Sequence, residues 1–171
     1  MNRLKEIQNK LTIGLLVIYL IVMTWIILFK MSFSFQELPD FRNINLIPFS
    51  QSVITNGQVY TSEIIMNVLI FVPFGIYLSM LKPDWKFIKK VTIIAAVSLS
   101  YEIAQYIFAI GGTDITDFIG NTLGGVIGIG IYYVLSRFVT KGYTNKLLNI
   151  LASIGTIGFI VLFGLIFIAN K

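Results

Sequence analysis

The residues of this chain best suited to chemistry lie in SLSYEIAQYIFAIGGTDITDFIGNTLGG, residues 98–125, where Glu102, Gln105, Asp114, Asp117 and Asn121 interrupt otherwise apolar segments. Carboxylates and amides gathered in this way can move a proton, hold a polar ligand, or offer oxygen ligands to Mg²⁺ or Ca²⁺. Asn67 and Asn45 add two more amides, and Arg42 adds a cation. That arginine could hold an anionic head group or pair with Asp114, Asp117 or Glu102, or it could be a solvated loop residue. The chain has no cysteine and no histidine, which excludes disulfides, thiolate nucleophiles, imidazole bases and His or Cys metal ligands. No Walker or Rossmann glycine loop and no activated-nucleophile arrangement is present. A divalent cation on oxygen ligands is the one candidate cofactor, and otherwise none is expected.

These side chains must be positioned by elements built for lipid. The 171 residues are 56% hydrophobic and 12% charged, with a mean hydropathy of +0.84. A soluble domain carries about twice that charged fraction. A helix of about 20 apolar residues crosses the roughly 30 Å hydrocarbon layer. Five runs meet that requirement, at residues 11–29, 64–81, 91–110, 116–136 and 147–169. The first follows Arg3, Lys5 and Lys10 and resembles a signal peptide, but it is long and lacks a small-residue cleavage site, so it reads as an uncleaved anchor. The expected fold is all-α, a polytopic helical bundle forming a single membrane domain over residues 1–171.

Charge sets the expected orientation, because Lys and Arg accumulate in short cytoplasmic loops. With the N-terminus inside, that side collects Arg3, Lys5, Lys10, Lys82, Lys86, Lys89, Lys90, Arg137, Lys141 and Lys146, leaving Lys30, Arg42 and Lys171 of the 13 basic residues outside. Glu37, Asp40, Glu63, Asp114 and Asp117 then lie outside as well, and the C-terminus is also outside. This distribution gives no basic stripe, so the net charge of +5 does not point to nucleic acid. The outer loop 30–63 exceeds the usual connection length. Its apolar stretch NINLIPFSQSVI, residues 43–54, suits a segment that lies in the interface or re-enters the membrane. There is no internal repeat and no low-complexity tract.

Depth follows from 1.5 Å per helical residue, which puts Glu102 roughly 12 Å below the outer end of the third span. Gln105 is one turn shallower on the same face, and Ser98 is one turn deeper. Asn67 enters from the second span, while Asp117 and Asn121 enter from the fourth, so three helices bring polar groups to one level. A carboxylate at that depth costs about 2.5–3.5 kcal/mol on insertion scales, so it must be protonated, paired or wetted. The plain alternative is an interhelical hydrogen-bond network among Asn67, Glu102, Gln105 and Asn121 that only holds the bundle together. Asp114 and Asp117 can cap the fourth span. Gly120, Gly124 and Gly128 form a small-residue stripe for close helix packing, one position round from the Asp117, Asn121, Gly125 face. Pro73 and Gly75 should kink the second span or free a carbonyl that neighbouring protein must satisfy.

Four fragments in this order resemble the VanZ-like family of bacterial membrane proteins: NLIPF at 45–49, NVLIFVPFG at 67–75, SLSYEIAQ at 98–105 and DITDFIGNTLGG at 114–125. The resemblance covers roughly residues 40–135, and the first and last spans fit it as generic apolar helices. It marks Asn45, Pro48, Asn67, Pro73, Gly75, Glu102, Gln105, Asp114, Asp117, Asn121 and Gly124 as motif positions. This chain has Gly112 where many members carry a basic residue, which removes an anion-binding group at that spot. The resemblance implies a multi-pass protein of the bacterial cytoplasmic membrane, in some members linked to resistance against teicoplanin-type glycopeptides through an unsettled molecular activity.

Four functions compete. In the first, the outward polar site binds or shields a cell-envelope component, with membrane lipid, a lipid-linked cell-wall precursor or a glycopeptide as partner. In the second, a membrane-embedded enzyme modifies such a precursor, with Glu102 or Asp117 as general acid or base and Arg42 stabilising charge. A small transporter is third, although transporters usually show repeats around a midplane site. A structural polar cluster is last.

Overall fold

The computed structural model describes residues 2–29, 41–49, 54–55, 58–59 and 61–169. Lys30, Glu37, Asp40, Lys171 and residues 50–53 of the aromatic stretch lie outside the described residues. Five helices dominate: α1 (Asn2–Phe29), α2 (Thr61–Leu81), α3 (Phe87–Phe108), α4 (Ile115–Phe138) and α5 (Lys141–Ala169). All five are long and apolar enough to cross a membrane. All five are longer than the apolar runs that reveal them, because polar and charged flanks continue the helix beyond the hydrocarbon-compatible part, and all but the third reach or pass the far end of their run. In α1 the added turns carry a Glu6–Lys10 ion pair at 2.8 Å, the i, i+4 arrangement that supports exposed helix. The third span instead ends two residues early. Ala109 takes the left-handed conformation (φ 57°) and returns its N–H to the carbonyls of Gln105 and Tyr106, a common helix stop.

Directions follow from contacts. Potential Cβ atoms on Gly120, Gly124 and Gly128 would meet α2 at Ile64 and Asn67, at Val68, and at Val72 respectively. Both helices thus advance four residues per contact, so α2 and α4 run parallel. Ile94 packs on Gly125, and Ser98 bonds Asn121 at 3.1 Å, so α3 runs antiparallel to them. Thr24 bonds Tyr101 at 2.8 Å, and Gln105 donates to the Ile27 carbonyl at 3.1 Å, which sets α1 parallel to α3. Thr12 bonds Asn149 at 3.0 Å, and Trp25 packs edge-on against Phe163 at 5.2 Å, which sets α5 parallel to α1. One end of the bundle therefore gathers the C-termini of α1, α3 and α5 with the N-termini of α2 and α4; we call it the motif end. The opposite end holds the basic loops.

The sequence reading contains no strand, and four are present. β1 (Phe41–Asn45) pairs in parallel with β4 (Ile110–Asp114), in the register Phe41↔Ile110 to Asn45↔Asp114. β2 (Ile54–Thr55) and β3 (Gln58–Val59) form a short antiparallel pair. Residues 43–45 of the expected interfacial segment thus complete β1. Beyond them, Leu46, Ile47 and Phe49 are exposed.

The core is aromatic and lies between α1, α2, α3 and α4. Met23, Phe71, Phe74, Ile94, Tyr101 and Ile129 are buried together. Phe71 meets Phe74 at 6.2 Å and Tyr101 at 6.5 Å, both edge-on, the orientation favoured by ring quadrupoles. Pro73 sits inside α2 without ending it. It removes the N–H that would serve the Leu69 carbonyl, and at the next carbonyl, Ile70, the Tyr19 hydroxyl of α1 donates instead. Large apolar side chains remain exposed along every helix, as lipid contact requires.

The glycine stripe is a backbone contact. A Cβ on Gly124 would lie 2.0 Å from the Val68 carbonyl oxygen and one on Gly128 would lie 2.0 Å from that of Val72, whereas one on Gly120 would reach nothing closer than 3.7 Å. Gly124→Ala and Gly128→Ala are therefore expected to separate α2 from α4 and to lower stability by about 1–3 kcal/mol, the range for overpacking. Gly120→Ala and Gly130→Ala should be tolerated, since a Cβ at Gly130 meets no atom within 4 Å. Thermal-aggregation midpoints of the four variants in detergent check this ranking.

Candidate functional site

At the motif end, Glu102 lies six residues before the end of α3, roughly 9 Å below it, and is 2% exposed. Its Oε2 accepts the backbone N–H of Asp114 at 2.9 Å. The Glu102 carbonyl accepts the Thr113 hydroxyl at 2.9 Å. Both bonds pull β4 back onto α3, so the chain turns sharply through Ala109 and the two glycines. Asp114 then serves two partners: Oδ1 accepts from Thr116 N at 2.7 Å, and Oδ2 accepts from Asn45 Nδ2 at 3.0 Å. The first is an N-cap for α4, as expected for an acid preceding an apolar run. The second joins the paired positions at the ends of β1 and β4.

The chain of bonds continues into the exposed turn. Asn45 Oδ1 accepts from Ile47 N at 3.1 Å, and Thr116 Oγ1 accepts from Phe49 N at 3.0 Å. Phe49 has a φ of 62°, a region that bulky side chains avoid, so this bond holds a strained corner. Elements far apart in sequence are thereby connected from the buried Glu102 to the exposed apolar tip Leu46–Phe49.

Arg42 is exposed and donates through Nε to the Tyr106 carbonyl at 3.1 Å and through Nη2 to the Ile107 carbonyl at 3.2 Å. Its guanidinium also lies 6.0 Å from the centre of the Tyr106 ring. The carbonyls at a helix C-terminus lack backbone donors and carry partial negative charge, which a cation satisfies. Of the roles open to Arg42 from sequence, the contacts seen are neither an acid pair nor simple solvation but a helix cap. Register explains this: Arg42 stands opposite Gly111, beside the end of α3, while oxygens of Glu102 and Asp114 already accept N–H donors.

The other site residues divide. Gln105 reaches α1 through the Ile27 carbonyl at 3.1 Å, and Asn121 reaches α3 through Ser98 Oγ at 3.1 Å. The amide oxygens of both are buried without a hydrogen-bond partner. Asp117 is half-buried in the first turn of α4. Asn67 is half-buried against Gly120 at the α2–α4 seam. Of the four residues in the plain alternative of an interhelical network, Gln105 bonds α1 and Asn121 bonds α3. The Asp117, Asn121, Gly125 face does turn inward, with Asn121 and Gly125 packed on α3.

Among the described residues, no group of three or more acidic side chains is arranged to hold a metal ion. Two site members escape a reading focused on acids and amides. Thr113 and Thr116 tie β4 to α3 and the exposed turn to α4. The signal for Thr116 was present in the Asp-Ile-Thr order, since a side-chain oxygen followed two residues later by an N–H donor is the local pattern of a helix N-cap.

Asp114 permits a graded test. Asp114→Ala removes the α4 cap, at a cost of about 0.5–2 kcal/mol, and also frees Asn45. Asp114→Asn keeps the capping oxygen but turns an amide N–H toward the donor Asn45 Nδ2. The expected order of thermal stability in detergent is wild type, then Asp114→Asn, then Asp114→Ala. Equal midpoints for the three proteins would contradict this geometry.

The VanZ/LLP1 family model matches residues 16–136, from the middle of α1 to the end of α4. Protein VanZ of Enterococcus faecium is 35% identical over 151 residues, covering 87% of this chain and 88% of that protein. No solved structure matches the chain with significance. The matched segment includes α2, α3, β4 and α4, which carry most of the polar residues of the motif end, and the chain belongs to the VanZ/LLP1 family.

Proposed function

We propose that this protein lies in the bacterial cytoplasmic membrane with the motif end outward, and that it lowers susceptibility to teicoplanin-type glycopeptides by binding or shielding a cell-envelope component. The orientation rests on the excess of Lys and Arg at the opposite end, which also puts the N-terminus inside and the C-terminus outside. The observation that carries the reading is the hydrogen-bonded line from buried Glu102 through Asp114 and Asn45 to the exposed tip Leu46–Phe49. A network of amides would hold the helices together without an ionisable group. This chain keeps a buried carboxylate and leaves acceptor oxygens on Gln105 and Asn121 without donors.

An amphiphile with hydrogen-bond donors suits such a surface. Lipid chains match Leu46, Ile47 and Phe49, an acidic group matches exposed Arg42, and sugar hydroxyls or amide N–H groups match the acceptors. A lipid-linked cell-wall precursor has all three features, and a lipophilic glycopeptide shares most of them. Binding is favoured over covalent modification because Glu102 is deeply buried and its Oε2 already accepts from Asp114 N, which leaves it badly placed to exchange protons.

The test is teicoplanin and vancomycin susceptibility of a sensitive host expressing wild type, Glu102→Gln or Asp117→Asn, with membrane abundance measured in parallel. Gln at position 102 can still accept the Asp114 N–H, so the fold should persist. The expected result is protection by wild type, and loss of teicoplanin protection in equally abundant variants with no change in precursor mass. A changed precursor mass would assign the enzyme reading instead. Wild type indistinguishable from empty vector would overturn the resistance reading.

A further inference from the structure

At the end of the bundle opposite the motifs lies a cavity of about 680 Å³ between the C-terminal ends of α2 and α4 and the N-terminal ends of α3 and α5. Lys90, Arg137 and Lys141 line it, together with the hydroxyl-bearing Ser79 and Ser136. Lys90 is 6% exposed and Ser79 is fully buried at 0%. Among the described residues the Ser79 hydroxyl is buried without a hydrogen-bond partner, and the Ser136 hydroxyl lies within hydrogen-bond reach of Tyr132. The charged groups acting on Lys90 are Lys141, which repels it, and Asp84, which is exposed and does not line the cavity.

Loop lysines that only set topology remain in water. Lys90 instead sits in α3, nine-tenths buried as a residue, with a second cation and the unpartnered Ser79 hydroxyl along the same cavity, and an anion with several acceptor oxygens would serve these donors together. A phosphate group meets that description, since its oxygens accept from ammonium, guanidinium and hydroxyl donors together. The cavity walls add Phe87, Val126 and Ile129, and Trp85 and Tyr133 stand at its edge. Aromatic rings of this kind mark the headgroup level of a membrane, and basic pockets between helix ends there receive anionic lipid head groups.

We infer that the cavity at the basic end is a binding site for the phosphate head group of an anionic phospholipid, held by Lys90 and Arg137 with Ser79 and Ser136 as hydroxyl donors. The site is separate from the motif end and does not depend on any role in glycopeptide susceptibility. It gives this end of the bundle a fixed lipid rather than a diffuse attraction to the membrane surface.

Trp85 is a built-in reporter. It lines the cavity, with Lys89 Nζ 4.1 Å and Lys82 Nζ 5.4 Å from its ring centre. The other of the two tryptophans, Trp25, packs on Phe163 near the motif end and can be replaced by Phe. The full chain in non-ionic detergent, carrying Trp25→Phe, would be titrated separately with phosphatidylglycerol, phosphatidylcholine and inorganic phosphate while Trp85 emission is followed. Native mass spectrometry would record retained lipid. The expected result is a saturable response to phosphatidylglycerol, none to phosphatidylcholine, and a half-saturation raised at least about tenfold in Lys90→Gln and in Arg137→Gln, the loss of one charge-assisted hydrogen bond.

Arg137 is exposed, so its variant folds even if the Lys90 variant does not. Lys146→Gln, which removes a charge outside the cavity, should match wild type. Equal responses to the two lipids, or Arg137→Gln behaving as wild type, would overturn the proposal. Saturation by inorganic phosphate without preference between the lipids would overturn the assignment to lipid and leave a free-anion site.

Discussion

The hydrogen bond from the Asp114 backbone to the buried Glu102 carboxylate governs the motif end of this bundle. An acid in the hydrocarbon layer costs about 2.5–3.5 kcal/mol at mid-helix on insertion scales, and here the cost is offset by donors from a neighbouring segment. The donor comes from the residue that caps α4 and closes the β1·β4 pairing. The start of a helix, the end of a strand and the depth of a carboxylate are thus fixed by one contact. Removing the acid would leave the Asp114 N–H buried without a partner, a larger loss than the bond itself contributes.

Below that level the bundle depends on close approach rather than on polarity. Lipid tails are as apolar as leucine, so helices in a membrane associate through packing and interhelical bonds. The parallel pair α2 and α4 makes this contact through Gly75, Gly124 and Gly128, where a methyl group would strike carbonyl oxygen. Aromatic residues fill the remaining space around Phe71, and Tyr19 donates to the Ile70 carbonyl beside the proline in α2. α1 joins this core through Met23 and through bonds with Tyr101 and Gln105, and α5 is tied to α1 by Thr12 with Asn149.

Much of this was legible in the sequence. Five apolar runs fixed the number of spans, and alternation alone brought Glu102, Asp114 and Asn121 to one end. The role of Asp114 as a cap was readable because helix starts have a local signature. The β1·β4 ribbon was not readable. Neither strand alternates strongly, and their pairing joins loops separated by two membrane helices, a non-local fact that no window of sequence contains. The role of Arg42 was missed for the same reason, since its carbonyl partners are set by strand register. The partners of Gln105 and Asn121, the Ile27 carbonyl and the Ser98 hydroxyl, were not readable, because residue type gives hydrogen-bonding capacity and not direction.

The parallel ribbon also bears on biogenesis. β1 is synthesised before α2 and α3, and its partner β4 follows them, so pairing must wait until both intervening helices have crossed the membrane. Two crossings return the chain to the side from which it left. If either helix fails to insert, β1 and β4 are stranded on opposite faces and cannot meet. The Asp114 oxygen meant for Asn45 would then be without that partner, and Arg42 could not reach the end of α3. The ribbon therefore acts as a proofreading element for topology: its closure reports that the central helical hairpin has been threaded correctly.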